Sequence, residues 1–158
     1  MKRSSPLWRG ILINAGAWFV VHMLLAAAAM RLSRALFNPE GRLFRTRSWE
    51  REGKLYREVF RVHRWKSALP DGAALFTGGF RKKRLEKRNR EYLHDFLLET
   101  CRAEATHWTV ILLSPVFFLW NGRGAGAVNV LYALIANLPC IIAQRYNRPL
   151  LRRILARM

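Results

Sequence analysis

The sequence predicts an all-α integral membrane protein with about three transmembrane helices, a first span and a C-terminal hairpin, with basic amphipathic interfacial helices between them. Three observations carry this expectation. Gly10 to Met30 and Ala125 to Ala143 contain no charged residue, and about 20 apolar residues suffice for a helix to cross roughly 30 Å of hydrocarbon. All 10 acidic residues lie between Glu40 and Glu104. The 28 Lys and Arg give a net charge of +18 and crowd around the apolar runs. Juxtamembrane basic residues of this kind attract anionic headgroups at about 1 kcal/mol each. The same charge would suit nucleic-acid phosphates, but uncharged runs of membrane length point to lipid, and no nucleic-acid partner is expected.

Residues 1–31 form the first predicted unit. "GILINAGAWFVVHMLLAAAAM", Gly10 to Met30, is long enough to span. Its basic start (Lys2, Arg3, Arg9) and the alanines at Ala26 to Ala29 also fit a cleavable signal peptide. The other end of the chain weighs against that alternative. Residues 105–158 read as a transmembrane hairpin: Thr106 to Trp120, the turn "NGRG", then Ala125 to Ala143. Arg123 is the only charge in the turn, whereas Arg145, Arg148, Arg152, Arg153 and Arg157 follow the last run. The positive-inside bias makes the tail cytoplasmic, and two crossings put the central segment on the same face. A signal peptide would instead export that strongly basic segment. The second run is short, 13 residues from Trp108 to Trp120, with Pro115 inside it. A tilted, kinked or partly re-entrant hairpin is therefore an open alternative.

Between these units, residues 32–104 form a basic cytoplasmic or interfacial helical segment. Trp49, Leu55, Tyr56, Val59, Phe60 and Val62 recur at close to helical spacing among basic residues, which predicts a helix lying on the membrane surface. A second helix is expected from near Arg81 through Leu85, Leu93 and Phe96 into the second span. Cys101 and Cys140 read as free thiols, and no Cys/His spacing suggests a metal. "DGAALFTGGF" lacks the GK[ST] of a phosphate-binding loop and reads as a turn. No cofactor is expected.

Chemistry gathers where the chain meets the second span. In "ETCRAEATHW", helical periodicity puts Thr100, Glu104 and His107 on one face, and Glu104 and His107, three apart, can touch. A carboxylate that orients an imidazole leaves the other ring nitrogen able to take a proton. Glu99 and Arg102, also three apart, suit an ion pair on a neighbouring face. An antiparallel hairpin returns Gln144, Arg145, Tyr146, Asn147 and Arg148 to the same bilayer face. In "HRWKSALPDG", Lys66 could bind phosphate or offset negative charge, and Asp71 before Gly72 most simply caps a turn. The bland readings are an interfacial anchor of basic and aromatic residues and ordinary hydrogen bonds for His22, His63 and His94.

Three blocks, WK-x3-LPDG at Trp65 to Gly72, ET-x-RAE-x2-HW at Glu99 to Trp108 and YALIANLPCIIAQRYNRP at Tyr132 to Pro149, together resemble the glycosyl-4,4′-diaponeurosporenoate acyltransferases, which complete staphyloxanthin-type carotenoids. The resemblance runs from about Trp49 to Leu151. It implies a membrane enzyme that transfers a fatty acyl group to a sugar hydroxyl of a glycosylated carotenoid. Its pattern carries over onto Trp65, Lys66, Asp71, Gly72, Glu99, Arg102, Glu104, His107, Trp108 and Gln144 to Pro149, but not onto His63, His94 or Cys101.

Together these readings give an O-acyltransferase of the cell membrane, multi-pass, with its polar site at the cytoplasmic face. His107 is the expected general base, with Glu104 orienting it. Arg102, Arg145 or Lys66 would stabilise an oxyanion or bind donor phosphates, and Glu99 completes the catalytic set. Trp65, Lys66, Asp71, Gln144, Arg145, Tyr146, Asn147 and Arg148 are the expected substrate-binding residues. The expected partners are anionic lipid headgroups, a glycosylated lipid acceptor and an acyl donor such as acyl-CoA or another thioester. The rival from another class is a non-catalytic membrane adaptor whose basic helices bind anionic lipids or a protein.

Overall fold

Every regular element in the computed structural model is helical among the residues it describes, 7–70, 80, 85–87 and 89–158. The helices are α1 (Leu7–Arg31), α2 (Lys54–Glu58), α3 (Val62–Trp65), α4 (Arg90–Leu113) and α5 (Arg123–Ala156). Short 3-10 segments lie at Arg34–Leu36, Ser48–Gly53, Lys66–Ala68 and Ser114–Leu119. Asp71, Gly72 and Arg81 lie outside the described residues.

Among the described residues two helices, α1 and α5, are long and apolar enough to cross a membrane, where the sequence predicts three spans. The second predicted span is divided. Its α-helix ends at Leu113 and a 3-10 segment carries the chain on to Leu119. Pro115 has no N–H to continue the helical ladder. Ser114 Oγ donates to the Ile111 carbonyl at 2.7 Å. By contrast, α5 runs unbroken through Pro139 and Pro149 for 34 residues. At 1.5 Å per residue it is about 50 Å long, so its arginine-rich end reaches well past the length of an apolar slab.

Hydrogen bonds fix the direction of packing. Near the start of α1, Asn14 and Asn121 exchange amide bonds at 3.0 and 2.9 Å, and Trp120 Nε1 donates to Asn14 Oδ1 at 3.0 Å. Midway, Trp18 is buried, donates Nε1–H to Asn129 Oδ1 at 2.8 Å and stacks on Phe117 at 4.3 Å. Beyond the far end, the Leu32 carbonyl accepts from Arg102 at 3.1 Å. So α1 runs antiparallel to α4, and α4 antiparallel to α5. The outward faces are apolar: Ile11, Phe19, Leu24, Leu112, Leu119, Val128, Leu131 and Ile135 are each more than half exposed. Such a contiguous apolar surface requires a cover in water.

The amphipathic helix expected across Trp49 to Val62 does not form. The chain instead turns through Arg51, Glu52, Gly53 and Arg61, all with positive φ, and leaves only two short helices, α2 and α3. Its inward turn has a cause. Glu50 and Tyr56 are buried against α5, and a straight surface helix would leave the Arg145 guanidinium without its Glu50 partner. Gly53, at φ 83°, lies so close to α5 that a Cβ would come within 3.0 Å of Pro149 Cγ. The next helix also starts later than expected. Asn89 caps α4, its Oδ1 accepting from the Tyr92 amide at 3.3 Å.

Candidate active site

The arginines at the exit of α5 draw four segments together. Arg145 and Arg148, three apart, share a face of the helix. Arg148 is fully buried and donates from Nη2 to Glu104 Oε2 at 2.6 Å, from Nε to Thr100 Oγ1 at 3.3 Å and from Nη1 to the Phe44 carbonyl at 2.5 Å. Arg145 donates from Nε to Glu104 Oε1 at 2.7 Å, from Nη1 to Glu50 Oε1 at 2.6 Å and from Nη2 to the Leu43 carbonyl at 2.9 Å. Glu50 also accepts from the Arg47 amide at 2.6 Å and from the Tyr56 hydroxyl at 2.5 Å. Burial, and then the adjacent Glu50 carboxylate, push the Tyr56 phenol above its usual range. Two carboxylates thus neutralise two guanidiniums, with carbonyls and hydroxyls completing their shells, as buried charge requires.

This geometry corrects the expected Glu104–His107 pair. Glu104 is committed to Arg145 and Arg148, with Trp108 Nε1 at 3.4 Å from Oε1, while His107 Nδ1 lies 2.8 Å from Asn137 Oδ1. Two guanidiniums outcompete an imidazole for a buried carboxylate. The two residues remain one turn apart on α4 but have different partners.

The Glu99–Arg102 pair forms as expected, at 2.5 Å. It belongs to a separate group, where Arg34 reaches Asp95 at 2.7 Å and Glu99 at 3.3 Å and Arg102 lies over the Phe37 ring. Lys66 stands on the other side of α5. Its Nζ donates to Asn147 Oδ1 at 2.9 Å and sits 5.1 Å from the Tyr146 ring centroid. Burial pulls the Lys66 ammonium below its usual range, and among the described residues no carboxylate pairs with it. Trp65 donates Nε1–H to the Phe60 carbonyl at 2.8 Å. Gln144 Oε1 is a buried acceptor with no hydrogen-bond partner among the described residues. Asp71 lies outside them.

Glu50, Tyr56 and Asn137 are the members of this arrangement that sequence reasoning missed. Glu50 had a signal, because an acid is scarce in so basic a chain and each has several arginine suitors. Asn137 sits in an apolar run, where a buried amide must find partners. Cys101 is buried and its thiol is raised by that burial, an unreactive setting for a nucleophile.

Comparison with known proteins follows the same residues. The family model described as glycosyl-4,4′-diaponeurosporenoate acyltransferase matches residues 40–157. A protein of that name from Staphylococcus haemolyticus (strain JCSC1435) is 32% identical over 146 residues, 90% of this chain and 85% of that protein. Those from Staphylococcus aureus strains N315 and USA300 are 33% and 34% identical over 138 and 139 residues, 87% of this chain and 83% of each relative. No solved structure matches the chain. With the family model covering Glu50, Glu104, His107, Arg145 and Arg148 alike, the chain belongs to the glycosyl-4,4′-diaponeurosporenoate acyltransferase family.

Proposed function

We propose that this protein is a membrane O-acyltransferase that moves a fatty acyl group from an acyl thioester, such as acyl-CoA, to a sugar hydroxyl of a glycosylated carotenoid or closely related glycolipid. The observation that carries the reading is the family match across residues 40–157, which encloses the whole polar cluster. The arrangement of charge supports it. Polar groups converge at the arginine-rich ends of helices whose other surfaces are apolar, where an amphiphilic acceptor would present its sugar at headgroup depth.

His107 acts as general base. Its Nε2 takes the proton of the sugar hydroxyl as the oxygen bonds to the thioester carbonyl carbon. The tetrahedral intermediate collapses by breaking the C–S bond, and the departing thiolate recovers the proton from His107. Lys66, at Asn147 on the other side of α5 from the arginine network, is the cation for the donor phosphates. Arg145, Arg148 and Glu104 hold α4, α5 and the Glu50 segment in register around the site. The chain needs no cofactor besides the donor. Purified protein in lipid vesicles, given acyl thioester and glycosylated acceptor, should form the ester. Vesicle binding without ester formation would mark a non-catalytic adaptor instead.

Cys101 forms no acyl-enzyme in this scheme. Cys101→Ala should keep more than about half of wild-type turnover, because a positioned hydroxyl attacks the thioester directly. Its loss in a folded variant, with an acyl thioester trapped on the wild type, would replace direct transfer by a covalent route.

The chain crosses the membrane three times, with α1 retained and the polar site cytoplasmic. Its support is the side-by-side packing of α1 with both arms of the hairpin and the tail arginines opposite the turn. Single cysteines at Gly122 and Arg157 should label from opposite faces in sealed vesicles. Gly122 suits the test, since its φ is −64° and open space surrounds its Cα. Labelling of both from one face would make the hairpin re-entrant.

A further inference from the structure

The imidazole of His107 is held by a neutral amide on the facing helix. Asn137 is 1% exposed, and its Oδ1 lies 2.8 Å from His107 Nδ1. The other half of the amide is fixed independently: Nδ2 donates to the Ala133 carbonyl, one turn back on α5, at 2.8 Å. Turning the amide over would set Oδ1 against that carbonyl, two acceptors at hydrogen-bond distance. The amide therefore faces His107 with its oxygen. An oxygen accepts only, so Nδ1 must carry the proton and the lone pair of the neutral ring stays on Nε2.

We propose that Asn137 is a positioning residue for the acyl transfer, locking His107 in the tautomer whose Nε2 accepts the proton of the sugar hydroxyl. This rests on His107 being the base. The choice of an amide has a chemical consequence. Once Nε2 is protonated, Nδ1–H still has its acceptor, so the ring keeps its orientation throughout the step. A carboxylate at this position would hold the imidazolium more tightly and slow return of the proton to the leaving thiolate. Glu104, the nearest carboxylate along α4, is occupied by Arg145 and Arg148. The ion network holds Glu104 away from His107, and Asn137 holds the Nδ1 edge of the ring.

The test has two readouts, spectroscopic and kinetic. Nitrogen-15 NMR of histidine-labelled protein in lipid nanodiscs, with the His107 signals assigned by their absence in His107→Gln, should show Nδ1 protonated and Nε2 unprotonated above the ring's titration. In Asn137→Leu the two tautomers should mix, and kcat per folded molecule should fall about 10- to 100-fold at unchanged KM, less than the roughly 10²- to 10⁴-fold lost with the base itself. Asn137→Asp should restore part of the turnover lost in Asn137→Leu at high pH while moving the acid limb of the pH profile upward by about 1 unit or more, as an adjacent carboxylate raises an imidazole. A wild-type spectrum with Nε2 protonated overturns the proposal, as does wild-type kcat in folded Asn137→Leu or an unmoved acid limb in Asn137→Asp. Failure of the base assignment reads differently: His107→Ala would remain active even though the wild-type tautomer is as described.

Discussion

His107→Ala should lower turnover about 10²- to 10⁴-fold at saturating acyl donor, the usual contribution of a general base. The motivation is its place on the α4 face turned to α5, its half-buried ring and the hydrogen bond from Nδ1 to Asn137. Removing the imidazole takes away a proton acceptor suited to neutral pH, whereas Glu104, one turn away on α4, is engaged with Arg145 and Arg148. Activity must be measured per folded molecule. If the folded variant keeps more than about a tenth of wild-type turnover, less than a base should contribute, His107 is structural.

Glu104→Leu should act on stability rather than on chemistry. It leaves Arg148, 1% exposed, with a carbonyl and a hydroxyl but no carboxylate. Removing one partner of a buried pair costs about 3 to 5 kcal/mol, enough to lower the melting temperature in detergent sharply and reduce the monodisperse yield. The double replacement Glu104→Leu with Arg148→Met should be less destabilised than Glu104→Leu alone, because no buried charge is then stranded at that point. Equal stability of Glu104→Leu and the wild type would show that the network is solvated and that its geometry does not hold the helices.

Which parts of this arrangement the sequence announced follows from how local each signal is. The Glu99–Arg102 pair was legible because both residues sit on one helix, three apart. The hairpin of α4 and α5 was legible from its uncharged third run and the "NGRG" turn, and so was the return of Arg145 and Arg148 toward Glu104. The partner of His107 was not. A choice between an acid on its own helix and an amide on the neighbour depends on where two arginines land, and that is decided across 41 and 44 residues of chain. The central segment misled for a similar reason. Trp49 to Val62 has helical periodicity, but burying Glu50 and Tyr56 against Arg145 outweighed it, and Gly53 supplied the turn. The second span does not form one α-helix of crossing length, because Pro115 near its middle divides it into part α-helix and part 3-10, a geometry its apolar composition does not announce.

The reading as a glycolipid O-acyltransferase meets its most direct test in the lipids of cells that make the glycosylated carotenoid. Extracts from cells lacking the gene, and from the same cells carrying the wild-type or the His107→Ala sequence, would be compared by mass spectrometry. The account predicts a glycosylated carotenoid without a fatty acyl group in the first strain, its mono-acylated ester in the second, and the unacylated species again in the third at equal protein level. An acylated product in the strain without the gene, or an unacylated one in the strain with it, would contradict the account.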